Sequence, residues 1–293
     1  MKPKLSVVIA SHNARHSVSD CLRVLESQQK GQEFEIIVVD NSTDGTDAVV
    51  ANGFPGVTLI KSPKSSFIPE LWEIGVTQSS GEIIAITTSH FVPQKDWVDE
   101  ILKAHDSRFA GIGGAIENDE HAGLIDWAIY FCRYSAYMLP FSKTTVKDFA
   151  GDNASYKRLA LECCKDARSN GFWEPEIHAE LIENGLELLI TPTIIVHHRK
   201  SFSMLGFIKQ RFWHGRQFGV ARSSRLSYMR RAFYILASPL IPFVFLSRIA
   251  HRILSKKRHR TRLLVSLPVL FIFLLSWAAG EMTGYAWIPQ NKE

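Results

Sequence analysis

Asn13 and Asp40 stand where two short apolar runs give out, LSVVIASHN and EIIVVDN. A carboxylate in such a place can accept hydrogen bonds from a nucleobase N–H or a ribose hydroxyl. For that chemistry both residues must lie at one edge of one sheet, and the pattern between them supplies it. Leu5–Ala10 is rich in β-branched residues and reads as a strand buried on both faces. Ser17 is the expected N-cap of a helix, with Asp20 three residues on completing a capping box. Cys21, Leu22, Val24 and Leu25 follow at helical spacing, and Glu35–Val39 is a second buried strand. A strand–helix–strand of this length is a parallel unit whose ligands sit beyond the carboxyl ends of its strands. Neither a G-x-G-x-x-G turn nor a phosphate-loop lysine is present, which sets aside the common dinucleotide and triphosphate folds.

Further along, Val57–Lys61 reads as a third strand, Ile68–Thr77 as a helix, and Glu82–Thr88 as a fourth buried strand leading to His90. Gly111–Glu117 is another strand, whose glycines would let a ligand approach the backbone closely. Leu124–Leu139 reads as a helix with aromatics all round, ended by Pro140. Glu174 and Glu176 flank Pro175. Proline suits the first turn of a helix, and acids there complement its positive end. A last strand, Leu186–Val196, runs into His197-His198-Arg199.

The 293 residues allow one large domain with an appendage. Four cysteines show no disulfide framework or C-x-x-C spacing, which fits a reducing compartment. The apolar run at the N-terminus is too short for a signal peptide, so the α/β part is expected in the cytoplasm. The net charge of +5 hides a polarity: residues 1–187 carry 17 Lys and Arg against 27 Asp and Glu, while residues 188–280 carry 16 basic residues and no acid. Such a split calls for an anionic surface beside the second part. The apolar runs among these charges favour lipid over nucleic acid.

The blocks V-V-I-A-S-H-N and I-I-V-V-D-N-S-T-D-G-T resemble the opening of the family 2 glycosyltransferases, over roughly residues 4–200. The resemblance implies the GT-A fold, a Rossmann-like mixed α/β sheet flanked by helices. It also implies transfer of a sugar from a nucleotide-sugar donor to a lipid, lipid-linked or saccharide acceptor, in one inverting displacement. Ala10, His12, Asn13, Asp40, Asn41, Ser89 and His90 then fall at the donor. Pro93 and Trp97 keep the family's register, yet Thr88-Ser89-His90 replaces its acidic D-x-D motif. Those carboxylates would hold Mg²⁺ or Mn²⁺, for which a hydroxyl and an imidazole are poorer ligands. Three alternatives follow: a softer metal site at His90 with His198 as partner, a metal-free His90 facing the phosphates, or a module that binds or scaffolds without catalysis.

Gly151-Asp152-Asn153-Ala154-Ser155-Tyr156-Lys157-Arg158 resembles the family's segment beside sugar and acceptor, which puts Asp152 and Asn153 there. Trp173-Glu174-Pro175-Glu176 aligns with the family's E-D-x-D, so that Glu174 falls on the catalytic aspartate, with Glu176 as the second candidate. The aromatic stripe of 124–139 reads as core, with Trp127, Tyr130 and Tyr134 as an alternative acceptor groove.

The basic part begins with Ser203–Val220, read as an amphipathic interface helix. From it Arg211, His214 or Arg216 would reach the acceptor or the departing diphosphate. Two apolar segments follow, Ala232–Ser247 and Leu263–Gly280. The second is long enough to span a bilayer, whereas the first is short and holds Pro239 and Pro242; Trp277, Tyr285 and Trp287 offer an aromatic edge to the second. Arg225, Arg230 and Arg231 before the first segment, and the block from Arg248 to Arg262 after it, keep both its flanks cytoplasmic under the positive-inside rule. The expectation is a re-entrant first segment and one crossing, with a two-helix hairpin as the alternative. The expected layout is a GT-A domain over 1–200, interface helices over 201–231 and a membrane-embedded part over 232–293, at the cytoplasmic membrane beside anionic lipid.

Overall fold

The computed structural model describes residues 2–29, 34–63, 66–199, 203–223 and 226–286. The chain forms two compact units, residues 1–119 with 137–200 and residues 120–136 with 201–293.

The first unit opens with β1 (Leu5–Ser11), α1 (Val18–Gln28), β2 (Phe34–Asp40), α2 (Thr46–Gly53), β3 (Thr58–Lys61), α3 (Ile68–Gln78) and β4 (Ile83–Thr88). The β-branched runs expected to be buried on both faces are so: all seven residues of β1 are buried. β3, β2, β1 and β4 lie side by side and parallel. Their carboxyl ends therefore open at one edge of the sheet. β5 (Phe91–Pro93), α4 (Trp97–His105) and β6 (Gly111–Asn118) follow; after α5 (Leu124–Tyr134), which belongs to the second unit, come β7 (Thr144–Val146), β8 (Ala154–Lys157), α6 (Arg158–Leu161), α7 (Glu174–Glu183) and β9 (Leu188–His198). β8 enters antiparallel between β4 and β6, β9 runs parallel to β6, and β5 and β7 pair antiparallel with β9. The sheet is thus mixed.

Several local expectations are corrected. Ser17 precedes α1 without a side-chain cap; its hydroxyl meets His90 Nδ1 at 3.3 Å instead. Asp20, the expected partner in the box, turns to Arg199 at 3.4 Å. The glycines of β6 admit the protein's own groups and no ligand: a Cβ on Gly113 would lie 2.4 Å from the Phe149 ring, and one on Gly114 would lie 2.2 Å from the Ile194 carbonyl. α5 stops at Tyr134, well before Pro140. His197 and His198 belong to β9 and do not follow it.

The second unit consists of α5 with α8 (Met204–Ser223), α9 (Tyr228–Ala237), α10 (Ile241–Ser255) and α11 (Arg260–Ala286). α8 and α11 meet through facing G-x-x-x-G pairs, Gly215 with Gly219 and Gly280 with Gly284. A Cβ on Gly280 would lie 2.0 Å from the Phe212 carbonyl, and one on Gly215 would lie 2.3 Å from that of Trp277. Backbones this close are characteristic of helix pairs packed in lipid, where small residues replace the hydrophobic drive. α8 is not a clean amphipathic helix. Its basic and apolar residues alternate round it, and the buried positions are Phe207 and the small residues Gly215, Gly219 and Ser223.

Residues 228–255 and 260–286 are each long and apolar enough to cross a membrane by length and composition. The first stretch is broken at Ser238–Leu240, and Pro239 and Pro242 both sit in first turns, where a proline costs no helical hydrogen bond. α9 buries no residue; Met229 is 86% exposed and Leu236 80%. An apolar surface of this extent is stable only when something covers it. Glu281, the single acid among residues 188–281, is buried with both oxygens taken, by Trp277 Nε1 at 2.9 Å and the Tyr285 hydroxyl at 2.8 Å. Trp127, Tyr130 and Tyr134 are buried and pack on one another or on His259, as a core stripe would. Trp287 and Arg225 lie outside the described residues.

Candidate active site

Parallel strands leave their last residues and the following loops at the carboxyl edge, and three of those loops interlock here. After β1, Asn13 takes the left-handed conformation (φ 49°), which asparagine tolerates better than most residues. Its N–H donates to Ser42 Oγ at 2.7 Å, and its Oδ1 accepts from Thr43 N–H at 3.0 Å. His12 Nδ1 meets Asn41 Oδ1 at 2.8 Å, while the Asn41 amide donates to the Ser66 carbonyl at 2.7 Å. Asp40 is buried at the end of β2, where its carboxylate accepts from the Ser42 hydroxyl at 2.5 Å and the Ser42 N–H at 3.2 Å. His12 and Asn13 remain exposed.

From the loop after β4, Ser89 N–H donates to the Ala10 carbonyl at 3.1 Å, which fixes the turn carrying His90 beside the end of β1. Ser89 Oγ is fully buried and finds no hydrogen-bond partner. The His90 carbonyl accepts from Arg199 N–H at 2.8 Å, and the Arg199 guanidinium pairs with Asp119 at 3.2 Å and Asp20 at 3.4 Å. Ala10, His12, Asn13, Asp40, Asn41, Ser89 and His90 thus occupy one edge.

A second group is built around the start of α7. Glu174 Oε1 accepts from Gly151 N–H at 2.9 Å. Gly151 is needed at that point, because a Cβ there would lie 2.3 Å from the same oxygen. Burial, with the charges of Asp152 and Asp148 in addition, pushes the Glu174 carboxyl up to about 7. A carboxyl poised there is suited to take a proton near neutrality. Glu176, two residues on, points to the far side of the helix and is exposed. The two groups are joined through β4: Thr87 Oγ1 donates to the Asp152 carbonyl at 2.8 Å.

Asn153, expected at the acceptor, is spent inside the fold. Its Nδ2 donates to the carbonyls of Ala115 and Ile194, and its Oδ1 accepts from Trp97 Nε1. Lys157 and Arg158 are also away from the site. They bind backbone at Ser107 and Gly81, by the amino end of β4. Arg211, His214 and Arg216 belong to α8 in the second unit, where Arg211 lies 4.3 Å from the Trp277 ring and Arg216 5.5 Å from that of Trp213.

Among the described residues no group of three or more His, Cys, Asp or Glu could hold a metal ion. His90 and His198, the expected pair, belong to no such group. The His90 ring is engaged with Ser17, and the His198 ring packs against Phe91 with centroids 5.2 Å apart. The Ser89 hydroxyl and His90 imidazole are poorer ligands for a hard divalent cation than carboxylates would be.

The sequence assigned no site role to Ser17, Arg199, Asp148, His178 or Tyr156. His178 carried a usable signal, since it follows Glu174 by four residues and so shares its helix face.

A mixed sheet of this order, flanked by helices, is a GT-A-type fold. Residues 6–164 match the model of the glycosyl transferase family 2. The chain belongs to that family. It is similar to the mannosyltransferase PcManGT from Pyrobaculum calidifontis, solved with GDP-Man and Mn²⁺, at TM-score 0.56 and 16% identity over 96% of this chain and 87% of that one. It is also similar to S. aureus TarS 1–349 in complex with UDP-GlcNAc, at TM-score 0.50 and 16% identity over 92% and 73%. A curated relative, glycosyltransferase AglE of Haloferax volcanii, is 26% identical over 102 residues, 33% of this chain and 34% of the relative. That match spans about a third of the relative's length.

Proposed function

We propose that the chain is a membrane-seated glycosyltransferase that moves a sugar from a nucleotide-sugar donor to a lipid, lipid-linked or saccharide acceptor with inversion. The donor's nucleotide lies at the carboxyl edge of β1, β2 and β4, where Asp40 accepts hydrogen bonds from base or ribose and His90 faces the diphosphate. Glu174 takes the proton of the acceptor hydroxyl. That oxygen bonds to the anomeric carbon from the face opposite the leaving group, and the C–O bond to the diphosphate breaks with its electron pair. The family supports the reaction class, and PcManGT and TarS, solved with GDP-Man and UDP-GlcNAc, support the donor class. The observation that carries the reading is Glu174 itself, a carboxyl held near neutrality one loop away from β4.

The membrane seat rests on the second unit: its uncovered apolar helices, its glycine-packed α8 and α11, and sixteen basic residues without an acid over 188–280. Each such residue near anionic lipid contributes roughly 1 kcal/mol. The acceptor is accordingly assigned to the cytoplasmic face of the membrane.

General-base assistance contributes about 10²–10⁴-fold. Glu174→Gln is therefore expected to lose that factor in transfer while binding the donor with unchanged affinity, measured by calorimetry. Normal turnover in this variant would refute the assignment of the base.

A further inference from the structure

α7 is tied to the loop between β7 and β8 at two points one helical turn apart. The first is the bond from Gly151 to Glu174. The second is His178, four residues on and therefore on the same face. Its Nδ1 lies 2.6 Å from Asp148 Oδ1 and its Nε2 lies 2.8 Å from the Tyr156 hydroxyl on β8. A carboxylate only accepts, so Nδ1 carries the hydrogen that binds Asp148, and the phenol supplies its own hydrogen to Nε2. Burial pushes the Tyr156 hydroxyl well above its usual range, which keeps it a donor. Between the two ties Phe149 is clamped, its ring 4.3 Å from that of His178 and pressed against Gly113.

Resting on the reading of Glu174 as the base, we infer that Asp148, His178 and Tyr156 form a positioning relay that holds the 148–153 loop down on Glu174 and so sets its proton affinity. The groups acting on that carboxyl are Asp148, the Gly151 N–H and Asp152 from the loop and Tyr156 from β8, while His178 shares its helix face. The Gly151 N–H bond lowers the proton affinity, but burial first and the charges of Asp152 and Asp148 after it outweigh that, so the closed loop raises the affinity overall. Asp148 is 57% exposed, so its truncation leaves the core intact. Asp148 and His178 bond to each other, and His178 to Tyr156, so they act on Glu174 through the loop.

The test is the pH profile of kcat/KM for the full chain with a donor that it turns over, in the wild type, Asp148→Asn, Asp148→Ala and His178→Phe. Loss of the tie lets water reach Glu174, so in Asp148→Ala and His178→Phe the acidic limb falls by about one pH unit or more. Below the limb that amounts to about tenfold more of the maximal rate at a given pH. Asp148→Asn keeps an acceptor for Nδ1–H and retains most of the wild-type limb, although it lacks the charge. His178→Phe keeps the charge of Asp148, so a fall there is not a charge effect. Should His178→Phe fail to fold, the contrast of Asp148→Ala with Asp148→Asn decides alone. Limbs that coincide in wild type and Asp148→Ala overturn the relay, as does an equal fall in Asn and Ala. Glu174→Gln run beside them separates the two readings: if it keeps full activity, the base itself is misassigned.

Discussion

A base held ready at neutral pH costs the fold stability, and Glu174 lets that cost be measured. Its carboxyl is raised from 4.5 to about 7, chiefly by burial. At about 1.36 kcal/mol per pH unit, the folded state disfavours the ionised form by about 3 kcal/mol. For an acid with a raised folded value the sign is as follows. Below 4.5 it is protonated in both states and contributes nothing. Between 4.5 and 7 the folded chain holds the proton and the unfolded chain gives it up, so stability falls as pH rises. Above 7 the loss is complete. Glutamine is neutral throughout, and its Oε1 still accepts from Gly151 N–H. Glu174→Gln should therefore match the wild type at pH 4.5 and exceed it by about 2–3 kcal/mol at pH 8, the lower figure allowing for partial solvent access. Thermal midpoints of both proteins in the same detergent across pH 4.5 to 9 would show it as curves that meet at the acid end and part through neutrality. Curves that stay parallel, or that part in the opposite sense, would refute the argument that burial governs this carboxyl.

Other consequences can be checked separately. Asp40→Ala removes a buried charged acceptor, and hydrogen bonds to charged groups contribute about 1.5–3 kcal/mol. Donor affinity should fall about 10- to 100-fold, and unchanged affinity by calorimetry would remove Asp40 from the nucleotide site. Gly280→Val places a side chain where only 2.0 Å separates a Cβ from the Phe212 carbonyl. Overpacking of this severity should cost more than about 3 kcal/mol, seen as loss of monodisperse protein on gel filtration, and normal recovery would contradict the glycine contact. Because no three-donor group exists among the described residues, the protein without nucleotide should show no Mn²⁺ binding in the micromolar range, as followed by electron paramagnetic resonance. Tight binding without nucleotide would show that its own side chains form a site.

The sheet was legible because β1, β2 and β4 are β-branched runs buried on both faces, and because Asp40 ends β2 while Asn13 follows β1 by two residues. The carboxyl edge follows from the parallel order, so the residues grouped there were found from the sequence. What failed was local hydrogen bonding. Ser17 and Asp20 have the spacing of a capping box, yet His90 and Arg199, distant in sequence, compete for their polar atoms. The glycines of β6 signalled close approach correctly, but the approaching groups are Phe149 and Ile194, which no period announces. Asn153 looked like a ligand contact because it sits in a motif, and only the fold reveals three partners for its amide. The relay of Asp148, His178 and Tyr156 spans a loop, a helix and a strand. Only the spacing of His178 from Glu174 hinted at it. In the second unit, length and hydropathy marked the apolar stretches, whereas the glycine pairs acquire meaning only once α8 and α11 lie together.

The central claim is catalysis of sugar transfer, and nucleoside diphosphate release tests it most directly. The full chain in detergent would be given UDP- and GDP-sugars with lipid-phosphate and saccharide acceptors, and the anomeric configuration of any product would be read by NMR. Acceptor-dependent release of diphosphate with an inverted product is the result expected here. A donor that binds at the carboxyl edge, yet is never turned over with any acceptor or with water, would contradict the account.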